Sequence, residues 1–348
     1  MISACGYRRE INRQLSKTSH SVIPIRDTVP SRNYPVVTMT LIGINVVVYL
    51  LEMAQGPELN RFIHLYGLVP ARYTVDRIAA YYTLPQQAFA WLSFMFLHGG
   101  FWHLLGNVWT LYIFGDNVED HLGHLRYLVF YLLCGLVSGI SHMILNLQSP
   151  VAVIGASGAI AGVMGAYFLL HPNAKILTLI PILFIPWFIE IPAFIFLGFW
   201  FVLQFINAAG SQAGSGGVAW WAHIGGFVGG MVILKAFVRL PSVGMSDRLR
   251  QATGKKRTTR LQVVKPQAAP AELNLYGTIA ITPYESFTGT RKLVSIPLGY
   301  KRRMIRVTVP PGVNQDQKLR LKGLGKTAPD GQAGDLFLKV NIMMRPAG

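Results

Sequence analysis

Residues 155–171 read GASGAIAGVMGAYFLLH, and residues 220–238 read WWAHIGGFVGGMVILKAFV. The first stretch has no charged side chain and the second has only Lys235 near its end. Runs this long and this apolar are expected to be helices inside a bilayer, where every backbone polar group must be satisfied within the segment. Gly158, Gly162 and Gly165 on the first, and Gly225, Gly226, Gly229 and Gly230 on the second, give small-xxx-small faces that let two helix backbones approach closely. Ser157 opens the first stretch and His223 lies one turn into the second. Polar groups at such positions are costly without partners, and an intramembrane ionisable residue is a functional candidate by default.

Working outward, the chain has 348 residues, 51% hydrophobic and 14% charged, which is more apolar surface than a soluble core of that size can hide. Six spans are expected, at 36–53, 102–115, 127–147, 157–171, 192–208 and 220–238. The second and fourth are short enough to begin below the membrane surface. The net charge of +17 does not point to nucleic acid. Its basic residues crowd the two segments flanking the apolar region, from Arg8 to Arg32 and from Lys235 to Lys265, which is the positive-inside pattern. An even number of spans agrees, so both termini are expected in the cytoplasm of a multi-pass cell (inner) membrane protein, with the polar site open to the extracytoplasmic side. The N-terminal stretch lacks an apolar core and a small-residue cleavage site, so no cleaved signal peptide is expected. Cys5 and Cys134 are the only cysteines, which leaves no disulfide framework or thiolate metal site.

Four regions follow: a basic cytoplasmic tail at 1–35, a six-helix membrane domain at 36–240, a basic flexible linker at 241–272 and a small all-β domain at 273–345. The outer loop 54–97 has the composition of an interfacial segment. Residues 176–191 are apolar but broken by Pro181 and Pro186 and interrupted by Glu190, which reads as a re-entrant or interfacial connection. In the last region, 273–281, 292–297, 304–309, 318–321 and 336–342 alternate apolar and polar residues between Gly/Pro turns, as strands do.

With a cytoplasmic N-terminus, spans two, four and six all descend from the outer face. That brings His103, Asn107, Ser157 and His223 to a similar depth. A serine meeting a histidine there suggests nucleophile and base. His103 and Asn107 are four apart, share one helix face and can aim two N–H donors at one point, which suits an oxyanion hole completed by the backbone N–H groups at Ser157. The loop 207–217, NAAGSQAGSGG, would lie above this site as a lid. Read singly, each residue has a plainer role: Ser157 as a packing residue, His223 as an interhelical hydrogen-bonder and Asn107 as a brace.

The motifs GASG around Ser157, AHIGG around His223, HGGFWHLLGN at 98–107 and GDNVEDHLGHLRY at 115–127 occur in the order of the rhomboid family, which 36–238 resembles. The resemblance implies an intramembrane serine endopeptidase with a Ser157–His223 dyad. It makes His103, Asn107 and Ser157 the oxyanion stabilisers, has no aspartate, and takes transmembrane protein segments as substrate. Gly155, Gly158, Gly225, Gly226 and His98 would be structural surroundings, with His98 hydrogen-bonding the outer loop. Two positions depart from the pattern. Ala161 stands where some members stack a tyrosine on the histidine, so His223 must be oriented otherwise, and Phe89 and Ala90 stand where some have Trp-Arg.

No metal or organic cofactor is expected. His121 and His124, beside Glu119 and Asp120, read as a helix-start capping and ion-pair cluster with Arg126 rather than a metal site. The basic run 255–260 reads as a contact with anionic lipid headgroups. An α/β-hydrolase elbow fits poorly, because Ala159 stands where its glycine belongs and no alternating strands surround it.

The segments 277–297, GTIAITPYESFTGTRKLVSIP, and 307–342, VTVPPGVNQDQKLRLKGLGKTAPDGQAGDLFLKVNI, resemble a substrate-binding β-domain of DnaJ-type (Hsp40) co-chaperones. The His-Pro-Asp module and the zinc-binding cysteine repeats are missing from the sequence; His171-Pro172-Asn173 ends a membrane helix instead. The resemblance implies a peptide or protein client bound by strand addition, and a dimerisation unit is the other reading of the same domain. Two rivals remain to the protease reading. One is a catalytically silent rhomboid-like adaptor that binds membrane proteins; the other is a transporter, against which stands the lack of an internal repeat.

Overall fold

The computed structural model describes residues 23–182, 185–210, 219–239, 253, 261–264, 266–267, 272–298, 301–328 and 332–343. It divides into two compact units, 1–253 and 254–348.

The first unit begins with strand β1 (Ile23–Asp27), so part of the expected basic tail is built into the fold. Helix α1 (Val36–Ala54) follows. The loop 54–97, expected as an interfacial segment, carries four short helices: α2 (Leu59–Tyr66), α3 (Ala71–Thr74), α4 (Asp76–Ala79) and α5 (Leu84–Ser93). Then come α6 (Phe101–Leu122), α7 (His124–Leu145) and α8 (Ser157–Leu170). Residues 176–191, expected as a re-entrant or interfacial connection, form a hairpin of β2 (Lys175–Ile182) and β3 (Ile185–Pro192). Helices α9 (Ala193–Gly210) and α10 (Trp220–Arg239) complete the unit.

Among the described residues four helices, α1, α7, α9 and α10, are long and apolar enough to cross a membrane. The pair formed by Leu84–Phe96 and α6 counts as a fifth span if taken together, although it is bent by 76°. The expected count of six is thus four to five on this measure. Helix α8 has 14 residues, about 21 Å at the usual helical rise, which falls short of a hydrocarbon core.

Helix α8 is central because its glycines admit α10. A Cβ on Gly226 would strike the Gly158 backbone, and one on Gly230 would strike the Gly162 backbone, so the two i,i+4 glycine pairs face each other. The core around this contact holds Phe114, Tyr127, Tyr131 and Tyr167, each fully buried. The acidic motif at the end of α6 caps α1 from outside. Glu119 accepts from the N–H groups of Val37 (2.9 Å) and Thr38 (2.8 Å), which have no intrahelical acceptor, and its Oε1 also contacts His124 Nδ1 at 2.5 Å. Asp120 accepts from the backbone of Arg32 and Asn33.

β1, β2 and β3 form one antiparallel sheet in that order. An all-α membrane unit is therefore corrected to a helical unit with a three-stranded sheet. The sequence hid this because the hairpin carries apolar residues on both faces, Ile176 on the buried one and Phe188 on the exposed one, so no polar alternation marks it.

In the second unit, β4 (Leu261–Val263), β5 (Leu275–Ile281), the short helix α11 (Pro283–Thr288), β6 (Thr290–Leu298), β7 (Lys301–Val309), β8 (Lys318–Leu321) and β9 (Leu336–Ile342) form two three-stranded sheets, β4-β6-β7 and β5-β9-β8. Their inward residues, Ile279, Ile281, Val294, Val307, Leu338 and Val340 among them, make one apolar core. Residues 261–263, expected within the linker, pair in parallel with β6. A buried Lys292–Glu285 ion pair (2.5 Å) joins β6 to α11, whose start is closed by a Thr282/Glu285 capping box. The basic run 255–260 and most of the expected linker lie outside the described residues.

Candidate active site

Ser157 is the first residue of α8, and His223 lies in the first turn of α10. The glycine contact between these helices sets their side chains side by side: Ser157 Oγ is 2.7 Å from His223 Nε2. On its other side, His223 Nδ1 is 2.8 Å from Gln204 Oε1 on α9. An amide oxygen carries no hydrogen, so Nδ1 donates to it, and Nε2 is left as the acceptor for the Ser157 hydroxyl. Trp200, one turn earlier on α9, lies 5.9 Å from the His223 ring between centroids, and Trp220 6.2 Å from it. These side chains hold the imidazole where Ala161 offers no ring.

Gly155 joins the second pair of expected residues to the first. Its φ of +128° favours glycine, and a Cβ there would lie 2.9 Å from the His103 imidazole and 3.5 Å from Ser157 Oγ. His103 and Ser157 therefore flank one glycine. Asn107, one turn further along α6, is buried, and its Nδ2 has no hydrogen-bond partner. A buried amide donor left unmade is costly, which suits a group that arrives with a ligand. The first N–H groups of α8 have no intrahelical acceptor and lie beside the same serine.

The loop 54–97 holds the segment that precedes Ser157. Leu68 and Val153 exchange backbone hydrogen bonds of 3.0 and 2.8 Å, and the Gly155 N–H donates to Phe94 (2.8 Å). His98 is tied in by its backbone N–H, which donates to Glu52 Oε1 on α1 (2.7 Å), while its ring lies 5.2 Å from that of His103. Gly158 and Gly225 are close-packing positions: a Cβ on either would run into Ser138 or Ser141 of α7.

Ser157, His223 and His103 are thus gathered, with Asn107 one turn below His103, while Gln204, Trp200 and Glu52 were missed by sequence reasoning. Gln204 and Glu52 each had a weak signal: Glu52 is the one charged side chain of α1, and Gln204 one of two amides in α9. Of the proposed lid, 207–210 are the last turn of α9 and the rest lies outside the described residues. His124 is occupied by Glu119 and by Thr253 Oγ1 (2.7 Å). Among the described residues no group of three His, Cys, Asp or Glu side chains is arranged to hold a metal ion.

Residues 85–240 match the family model described as "Rhomboid domain", and residues 274–347 match "DnaJ C terminal domain". The chain is similar to Rhomboid protein 1, mitochondrial, of Saccharomyces cerevisiae, with 29% identity over 196 residues covering 55% of this chain and 50% of that protein. It is similar to the putative rhomboid protease YdcA of Bacillus subtilis, 39% identical over 71 residues, 20% of this chain and 35% of that one. Chaperone protein DnaJ 2 of Corynebacterium glutamicum is 51% identical over 43 residues, 12% of this chain and 11% of that one. The chain spans half or less of the length of each of these relatives. The membrane unit thus carries a rhomboid domain at 85–240, and behind it the chain carries a DnaJ C-terminal domain at 274–347.

Proposed function

We propose that the chain is an intramembrane serine endopeptidase that cuts transmembrane segments of other membrane proteins, with Ser157 as nucleophile and His223 as general base and acid. The observation that carries this reading is the 2.7 Å contact between Ser157 Oγ and His223 Nε2 among apolar helices. A hydroxyl is a weak nucleophile until an adjacent base takes its proton. As Oγ attacks the substrate carbonyl carbon, His223 Nε2 takes that proton, and Gln204 holds the imidazolium through Nδ1–H. The carbonyl oxygen becomes an oxyanion, received by His103, the free Nδ2–H of Asn107 and the backbone N–H of Ser157. The imidazolium then protonates the leaving amine as the C–N bond breaks, leaving an acyl ester on Ser157. Water gives a proton to His223, its oxygen attacks the ester, and Ser157 recovers the proton as the acid product leaves.

In this reading α1, α6, α7, α8, α9 and α10 are six spans of a cell-membrane protein with both termini cytoplasmic and the site open to the outer side. The basic flanks support that orientation. The regions 1–35, 36–240, 241–272 and 273–345 serve as tail, protease domain, linker and client-binding β-domain, save that β1 of the tail joins the protease domain and β4 of the linker joins the β-domain, with anionic lipid headgroups held by the basic run 255–260. The test is cleavage of a labelled transmembrane substrate by the purified chain in liposomes. Product from the unaltered chain and none from Ser157→Ala is expected; equal product from both contradicts the mechanism.

A further inference from the structure

The β1–β2–β3 sheet hangs from the ends of α8 and α9 that lie away from Ser157, and two contacts with α6 fix its direction. Asp27 Oδ2 accepts from Asn117 Nδ2 (2.8 Å) and from the Tyr167 hydroxyl (2.5 Å), near the C-terminal ends of α6 and α8. Further back along β1, the Pro24 carbonyl accepts from Trp109 Nε1 (2.6 Å), near the middle of α6. From Asn117 to Trp109 the helix climbs about 12 Å, and from Asp27 to Pro24 the strand climbs about 10 Å. β1 therefore runs alongside α6 from the end of the span towards its middle, and β2 and β3 travel with it.

One face of the sheet is buried in the bundle, with Ile176 and Thr178 fully covered. The other face carries two rungs of different chemistry. Arg26, Leu177 and Glu190 are in register near the helix ends, where Glu190 also meets Lys175 at 3.8 Å. Two β2 residues further, about 7 Å deeper, Ile23, Leu179 and Phe188 form a wholly apolar rung in which Ile23 is 38% and Phe188 54% exposed.

The backbone is adapted to the same gradient. The Lys175 N–H donates to Thr28 Oγ1 beside β1, so even-numbered N–H groups of β2 face β3. By register, the outward positions of β3 are Pro186, Phe188, Glu190 and Pro192. Proline has no N–H, so half of that edge offers no donor that lipid would leave unmatched.

We propose that the outward face of this sheet is a lipid-binding surface, with the Ile23–Leu179–Phe188 rung seated among the acyl chains of the leaflet at the C-terminal end of α8. Arg26, Lys175 and Glu190 lie at its headgroup boundary. This rests on the span assignment and not on the catalytic reading. The occupant is lipid rather than protein because the charge gradient follows the depth along α6.

The test uses the full chain, with Cys5→Ser and Cys134→Ala, reconstituted in phosphatidylcholine/phosphatidylglycerol vesicles. A fluorophore is placed at Phe188→Cys, at Leu179→Cys as a second position of the same rung, and at Arg26→Cys for comparison. Acyl-chain doxyl lipid is expected to quench positions 188 and 179 severalfold more than iodide does, with the order reversed at position 26. Iodide quenching at 188 and 179 equal to that at 26 would overturn the proposal.

Discussion

The amide oxygen of Gln204 decides which nitrogen of His223 faces Ser157. Gln204→Leu removes that acceptor at similar size, so kcat is expected to fall by about tenfold to a hundredfold with KM little changed, less than the ~10²–10⁴ a general base supplies. Gln204→Glu, which keeps an acceptor, is expected to retain most of the rate; steady-state kinetics on the labelled substrate reads both. Asn107→Ala removes one of the donors proposed for the oxyanion and is expected to lower kcat by about 10²-fold. Ser157, His223, His103 and Asn107 were legible because each sits at the start of an apolar stretch on a span of the same polarity, and two of them are four apart. Gln204 carried only the weak signal of an amide in an apolar stretch, FWFVLQFINA, which also holds Asn207, and no neighbour in sequence shares its task. Its partner is 19 residues away on another helix.

At the scale of elements, the contact of α8 with α10 places Ser157 beside His223, and it depends on hydrogen atoms where other residues have side chains. Gly230→Val forces a side chain into the Gly162 backbone. Overpacking of this kind costs about 1–3 kcal/mol, and a lowered thermal midpoint in detergent is the expected readout. Glu119 plays the matching part at the other end of the bundle. Glu119→Ala takes the acceptor from Val37 and Thr38 at the start of α1, a loss of about 1.5–3 kcal/mol read by the same melt. Apolar length and glycine spacing announced these helices, and Gly/Pro turns announced strands β5 to β9. The hairpin β2–β3 was legible only as an apolar, proline-broken segment. Its third strand, β1, lies about 150 residues earlier in the chain, and no local pattern records that pairing.

The whole molecule is two units that answer to different solvents. The membrane unit turns apolar side chains such as Val47, Leu50, Phe199 and Val232 outward, whereas the β unit hides its own core. In the β unit, the Gly323 N–H and the Arg320 guanidinium both donate to Asp335 and hold its carboxyl below the usual aspartate range. A depressed folded value means the contribution is present above the ordinary pKa and is lost as pH falls through the depressed one. Acid unfolding of the β unit in Asp335→Asn is therefore expected to begin at lower stability near neutrality and to show a shallower pH slope than the unaltered chain, measured by circular dichroism. Activation of Ser157 by His223 within the bilayer is open to fluorophosphonate labelling followed by peptide mass spectrometry. An adduct on Ser157 that disappears in His223→Ala is the result predicted; an adduct on another residue, or equal labelling of Ser157 without His223, would contradict it.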